Sequence, residues 1–101
     1  MRMMLLAQFP IEPFNTAVRN GTVGPTIKKI LDDIKPEAAY FSEREGHRGC
    51  VMIVNVDSAA DVPRVAEPLF LGFNAEVELR VCMLPEDLAH ANLDALGKKW
   101  A

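Results

Sequence analysis

The sequence predicts an α+β domain with the element order β-α-β-β-α-β and one further helix at the C-terminal end. Three observations carry this. Residues 50–56, Cys-Val-Met-Ile-Val-Asn-Val, and residues 3–9, Met-Met-Leu-Leu-Ala-Gln-Phe, read as strands with little polar character on either face. Residues 74–84 show a clear alternation of apolar and polar, the mark of a strand covered on one face. Between these strands lie segments with apolar residues at 3- and 4-residue spacing, the helical period. At 101 residues the chain is one domain, residues 1–101, and half of its residues are hydrophobic, enough to build a core.

Strand one covers residues 2–9 and ends at Pro10 and Pro13. Asn15 is a plausible N-cap for a helical piece over 14–20 carrying Phe14, Ala17 and Val18. The segment Gly21-Thr-Val-Gly-Pro25 interrupts that helix, because Pro25 lacks an N–H and fits only a first helical turn. It has no Gly-Lys-Ser/Thr and is not a phosphate loop. A second piece follows over 23–34, capped by Thr22, with Ile27, Ile30, Leu31 and Ile34 on one face; Lys35-Pro36 ends it.

Strand two covers 37–44, with Tyr40 and Phe41 at its centre, and strand three covers 48–56. A two-residue Glu45-Gly46 loop between them sets Glu43 opposite Arg48 as a cross-strand ion pair. Ser58 or Asp61 caps the next helix, which carries Val62, Val65, Ala66 and Leu69 and is expected to stop at Pro68 and Gly72. Strand four covers 74–84: Ala75, Val77, Leu79, Val81 and Met83 face one way, and Glu76, Glu78, Arg80 and Cys82 the other. Pro85-Glu86-Asp87 then opens a last helix with Leu88, Ala91, Ala95 and Leu96 as its stripe.

This order is the ferredoxin-like split βαβ arrangement, a four-stranded antiparallel sheet with both crossover helices on one face. The chain has helical cover for that face only. The two-sided strands therefore call for a second cover, most simply another copy of the same chain, and a homodimer through sheet faces is the expected assembly. In this strand order strand one separates strands three and four. Cys50 and Cys82 then stand about 10 Å apart, too far for a disulfide, and each reads as a small hydrophobe.

The stretches Gly49-Cys-Val-Met-Ile-Val-Asn-Val-Asp-Ser58, Ala66-Glu-Pro-Leu-Phe70 and Ala75-Glu-Val-Glu-Leu-Arg80 resemble muconolactone-isomerase-like members of the dimeric α/β-barrel superfamily. The segment Lys35-Pro-Glu-Ala-Ala-Tyr-Phe41 is closer to an uncharacterised bacterial group of that superfamily. The resemblance implies two ferredoxin-like sheets packed face to face as a dimeric α/β barrel. It selects no activity, since the superfamily spans isomerases, monooxygenases, haem enzymes and ligand-binding modules.

The net charge of −3 argues against a nucleic-acid or anionic-membrane partner. No stretch approaches the roughly 18 apolar residues of a membrane span. Two cysteines in apolar strands suit a reducing compartment, so a cytoplasmic protein is expected. The candidate site residues are Tyr40, Glu78, Arg80 and His47. Glu76, Glu78 and Arg80 share a strand face that a sheet-paired dimer turns inward, where a carboxylate serves as acid or base and Arg80 holds an anionic substrate. The plainer reading is a solvated face or an ion pair across the interface. His47 beside the turn offers a proton shuttle or is simply solvated, and Tyr40 offers a hydroxyl or packs. His90 with Asp87 and Asp94 reads as a helix surface. His47-x-x-Cys50 lacks a second pair spaced for zinc. Trp100 reads as docking on a partner subunit or as part of a tail. No cofactor is expected. Two functions remain open: a ligand-binding or structural module of unknown ligand, and a cofactor-independent isomerase or monooxygenase with its pocket at the sheet face.

Overall fold

The computed structural model describes residues 1–101. Its strands are β1 (Arg2–Gln8), β2 (Ala38–Arg44), β3 (His47–Asn55) and β4 (Glu76–Val81). Its helices are α1 (Ile11–Asn20), α2 (Val23–Ile34), α3 (Val62–Phe73), α4 (Pro85–Ala89) and α5 (Leu93–Lys99), with a short 3-10 turn at Ala59–Asp61. The strands form one antiparallel sheet in the order β2-β3-β1-β4. The architecture is α+β and compatible with the ferredoxin-like arrangement. No helix is long and apolar enough to cross a membrane.

The period-two pattern fixes which side chains meet. Leu5 stands between Met52 of β3 and Leu79 of β4, and Ala7 between Cys50 and Val77. These side chains point at α1–α3, and Met3, Leu5, Ala7, Phe9, Cys50, Met52 and Val54 are all buried there. The helices return Ile30, Ile34, Val65, Leu69 and Phe73 to the same core. Phe9, Phe14 and Phe73 pack against one another at ring-centroid distances of 4.6–5.5 Å. Arg48 lies 4.6 Å above the Phe14 ring and covers it from solvent.

Several expected boundaries shift, each for a local reason. The α1 helix begins before Asn15, which lies inside it. The Glu12 carboxylate supplies the cap instead, accepting from the Thr16 N–H (3.1 Å) and the Thr16 hydroxyl (2.7 Å). Those bonds hold its carboxyl below the usual range. Thr22 does precede α2, but its side chain donates to Asn20 Oδ1 and caps no N–H. Neither Pro68 nor Gly72 stops α3. The buried face of Val65, Ala66, Leu69 and Phe73 carries the helix through Pro68, and it ends at Asn74 in the left-handed conformation. Glu43 does face Arg48, yet the ion pair does not form. Glu43 accepts from the Gly46 N–H (2.8 Å) within the turn, where Glu45 and Gly46 both have positive φ, and Arg48 turns to Phe14. The expected last helix is two: Asn92, left-handed at φ 57°, separates α4 from α5.

Arg64 ties the far end of the fold together. Its guanidinium donates to the carbonyl oxygens of Ile34 (2.8 Å) and Asn55 (2.7 Å), where α2 and β3 terminate, and to both oxygens of Asp61. One side chain thus satisfies the carbonyls at two element ends. The same bonds hold the Asp61 carboxyl below its ordinary value.

Arg64→Ala is expected to lower stability by about 1–2 kcal/mol after allowing for solvent screening, read by chemical denaturation. Because the Asp61 carboxyl is depressed in the folded state, its contribution is present above the unfolded value and lost as pH falls through the folded one. Acid titration below about pH 4 should therefore show a stability loss that is smaller in Asp61→Asn, the remainder coming from Glu12 and Glu37. Burial pushes the Cys50 thiol up to about 11. Native protein at pH 8 should thus yield no more than one fast-reacting thiol and two after denaturation; two fast thiols in the native state would contradict this burial.

Candidate functional site

The opposite face of the sheet carries no helix. Register assigns it Arg2, Met4, Leu6 and Gln8 of β1; Ala38, Tyr40, Ser42 and Arg44 of β2; His47, Gly49, Val51, Ile53 and Asn55 of β3; and Glu76, Glu78 and Arg80 of β4. All four candidate site residues therefore share one face, which has two chemical zones. Its middle is apolar: Met4, Leu6, Val51 and Ile53 form a half-buried patch, with Tyr40 at its β2 edge and 68% exposed. Its ends are polar.

At the end near the hairpin turn, the Arg44 guanidinium bonds Glu78 Oε1 at 2.6 Å and the Arg80 guanidinium bonds Glu78 Oε2 at 2.9 Å. Arg44 belongs to one edge strand and Glu78 to the other, so this bridge spans the whole sheet. Gly49 makes the reach possible. It lies on the same face between the two edges, and a Cβ there would stand 2.8 Å from the Ala7 carbonyl oxygen and 3.1 Å from Arg44 Cβ. Beside the bridge, His47 Nδ1 lies 3.3 Å from Gln8 Nε2 and 3.2 Å from the Glu45 carbonyl oxygen. With its proton on Nδ1 the ring donates to Glu45; with the proton on Nε2 it accepts from Gln8. Leu6, Gln8, Arg44, Glu45, Glu76 and Glu78 help to enclose a cleft of about 150 Å³.

The other polar end is a second network. Arg2 donates to Glu37 through Nε (3.0 Å) and Nη2 (3.2 Å), and the Asn55 amide also donates to Glu37. These donors, Arg2 first, hold the Glu37 carboxyl below the usual range.

Of the sequence candidates, His47 lies at the hairpin end; Glu78 stands opposite Leu6, in the same cross-strand row as Tyr40, and Arg80 opposite Met4, one row further from the turn. Tyr40 lies four residues from Arg44, about 13 Å along β2. Sequence reading missed Arg44, Gln8 and Gly49. A glycine inside an apolar strand was the available signal, since it marks a close approach of another chain segment. Cys50 and Cys82 are free, on strands separated by β1. His90 and Trp100 lie on the exposed arm after β4. No three His, Cys, Asp or Glu side chains converge in a geometry that could hold a metal ion.

Chemically, the cluster is a carboxylate held between two guanidiniums, with an imidazole and an amide alongside. Both oxygens of Glu78 are engaged, one by each guanidinium, and this fixes the orientation of its carboxylate. No known family model matches the chain, and no curated protein matches it significantly. The class is accordingly drawn from the fold itself: an α+β protein with an open antiparallel sheet whose uncovered face has an apolar middle and charged ends.

Gly49→Ala is expected to destabilise the fold by about 1–3 kcal/mol, because the new methyl meets a backbone carbonyl that has no room to yield. Denaturant unfolding reads the loss; an unchanged midpoint would mean that the hairpin end is not packed as described.

Proposed function

We propose that this protein is a homodimeric ligand-binding or structural module. Two ferredoxin-like subunits stack their open sheet faces into a dimeric α/β barrel, and no cofactor takes part. The observation that carries this reading is the uncovered apolar middle of the sheet. Met4, Leu6, Val51 and Ile53 form a contiguous patch rimmed by charge, the composition of a surface that a partner covers. Its symmetry requirement is simple: one patch serves both copies. Stacking would roof the hairpin-end cleft with a second sheet and leave a small chamber beside Arg44 and Gln8, whose donors suit a small polar ligand.

A cofactor-independent isomerase or monooxygenase is the second reading. The presence of His47, Glu78 and Arg80 on the same open face favours it, since a second sheet over that face would exclude water from acid and base groups. The bridges on Glu78 favour the module, because a base tied to two guanidiniums must first be released.

Sedimentation equilibrium at micromolar concentration should give twice the 11.2 kDa chain mass. Ile53→Lys, which places a charge in the centre of the patch, should return the chain mass with the secondary structure retained. A monomeric wild-type protein at these concentrations would rule out the module as described.

A further inference from the structure

Residues 82–101 stand apart from the rest of the molecule. The chain leaves the sheet with one hydrogen bond, from the Cys82 N–H to the Arg2 carbonyl oxygen (3.1 Å). It continues through α4 and α5, in which no residue is buried. The dimensions record this. The radius of gyration is 17.1 Å and the longest extent 60 Å, whereas a compact chain of this length has a radius of about 13 Å. The accessible surface is 6867 Å², about 1,200 Å² more than a compact monomer of 11.2 kDa exposes.

Such an arm does not stand alone in water. Helices of five and seven residues fall well below the roughly 12–15 residues at which a helix persists without a packing surface. The arm also presents Leu84, Leu88, Leu93, Leu96 and Trp100, each between 45% and 81% exposed. Its helical form is nonetheless well specified: the Asp87 carboxylate caps α4 by accepting from the Leu84 N–H (2.7 Å), and Lys98 and Lys99 sit at the negative end of α5. Local signals fix two short helices, and a surface to receive them is missing.

We propose that the arm is an exchange element: in the dimer each copy lays residues 82–101 on the body of the other. This rests on the pairing proposed above and adds a reciprocal contact to it. The excess surface is the size that argues for a second copy. A stable interface takes about 800 Å² from each partner, and the arm and the open face together hold an excess of that order. The arm extends the molecule to 60 Å, and no residue of α4 or α5 is buried against its own body. Exchange supplies the surface that α4 and α5 need, and it makes the folding of the arm depend on association.

Trp100 is the single tryptophan, so fluorescence excited at the red edge, where Tyr40 does not absorb, reads the arm alone. The full-length protein would be followed by emission wavelength and acrylamide quenching over a dilution series in which light scattering tracks dimer and monomer; the Ile53→Lys variant would be measured alongside as a monomer. Exchange predicts blue-shifted emission and several-fold weaker quenching in the dimer, both lost in step with dissociation and absent from the variant. A dimer in which Trp100 quenches like free tryptophan would overturn exchange and leave sheet pairing intact. Shielding that persists in the monomer would overturn it by placing the arm on its own body. A wild-type protein that is monomeric at every concentration would remove both pairing and exchange.

Discussion

A four-stranded sheet has two faces, and α1, α2 and α3 have apolar surface for only one of them. Most of this molecule is arranged around that limit. The odd positions of β1 and the even positions of β3 go to the helices, where Leu5, Met52 and Val54 are almost completely buried. Their neighbours Met4, Leu6, Val51 and Ile53 are just as apolar and have no helix over them. A polar residue at each of those positions would solve the exposure within one chain, as the alternation in β4 does. The sequence retains the hydrophobes, which makes sense for a face that is covered.

Electrostatics organises the edges of that face. The Arg44–Glu78–Arg80 bridge joins the two edge strands, and the Arg2–Glu37–Asn55 network joins β1, the β2 approach and β3. Each such pair is partly exposed and of modest energy by itself. Together they pair the charges around the apolar middle with one another.

Much of this was legible in the sequence, because strands and paired helices obey short periods. The spacing of Ile27, Ile30, Leu31 and Ile34 identifies the face of α2 that packs, and the Glu45-Gly46 turn fixes the register that sets Glu43 opposite Arg48. The failures come from competing partners, some of them distant in sequence, and from local backbone turns. Glu43 had two possible partners and took a backbone N–H; Arg48 found a ring on α1. Pro68 forfeits one helical bond, and the packing of Leu69 and Phe73 outweighs it. The Arg44–Glu78 bridge joins residues 34 apart, and nothing local announces it except the missing side chain of Gly49. The apolar stripe from Leu88 to Leu96 reads as continuous, since spacing alone does not reveal the left-handed turn at Asn92.

The strand order also constrains how the molecule is made. The central strand β1 is the first of the four in the chain, yet its two neighbours come late: Leu5 must await Met52 on one side and Leu79 on the other. On the ribosome, β1 therefore emerges long before either edge it templates. Closing these long loops takes an ordering cost before any pairing returns it, which places the fold among slower topologies. During synthesis a strand apolar on both faces waits without a mate, the state in which nascent chains recruit chaperones or join one another wrongly.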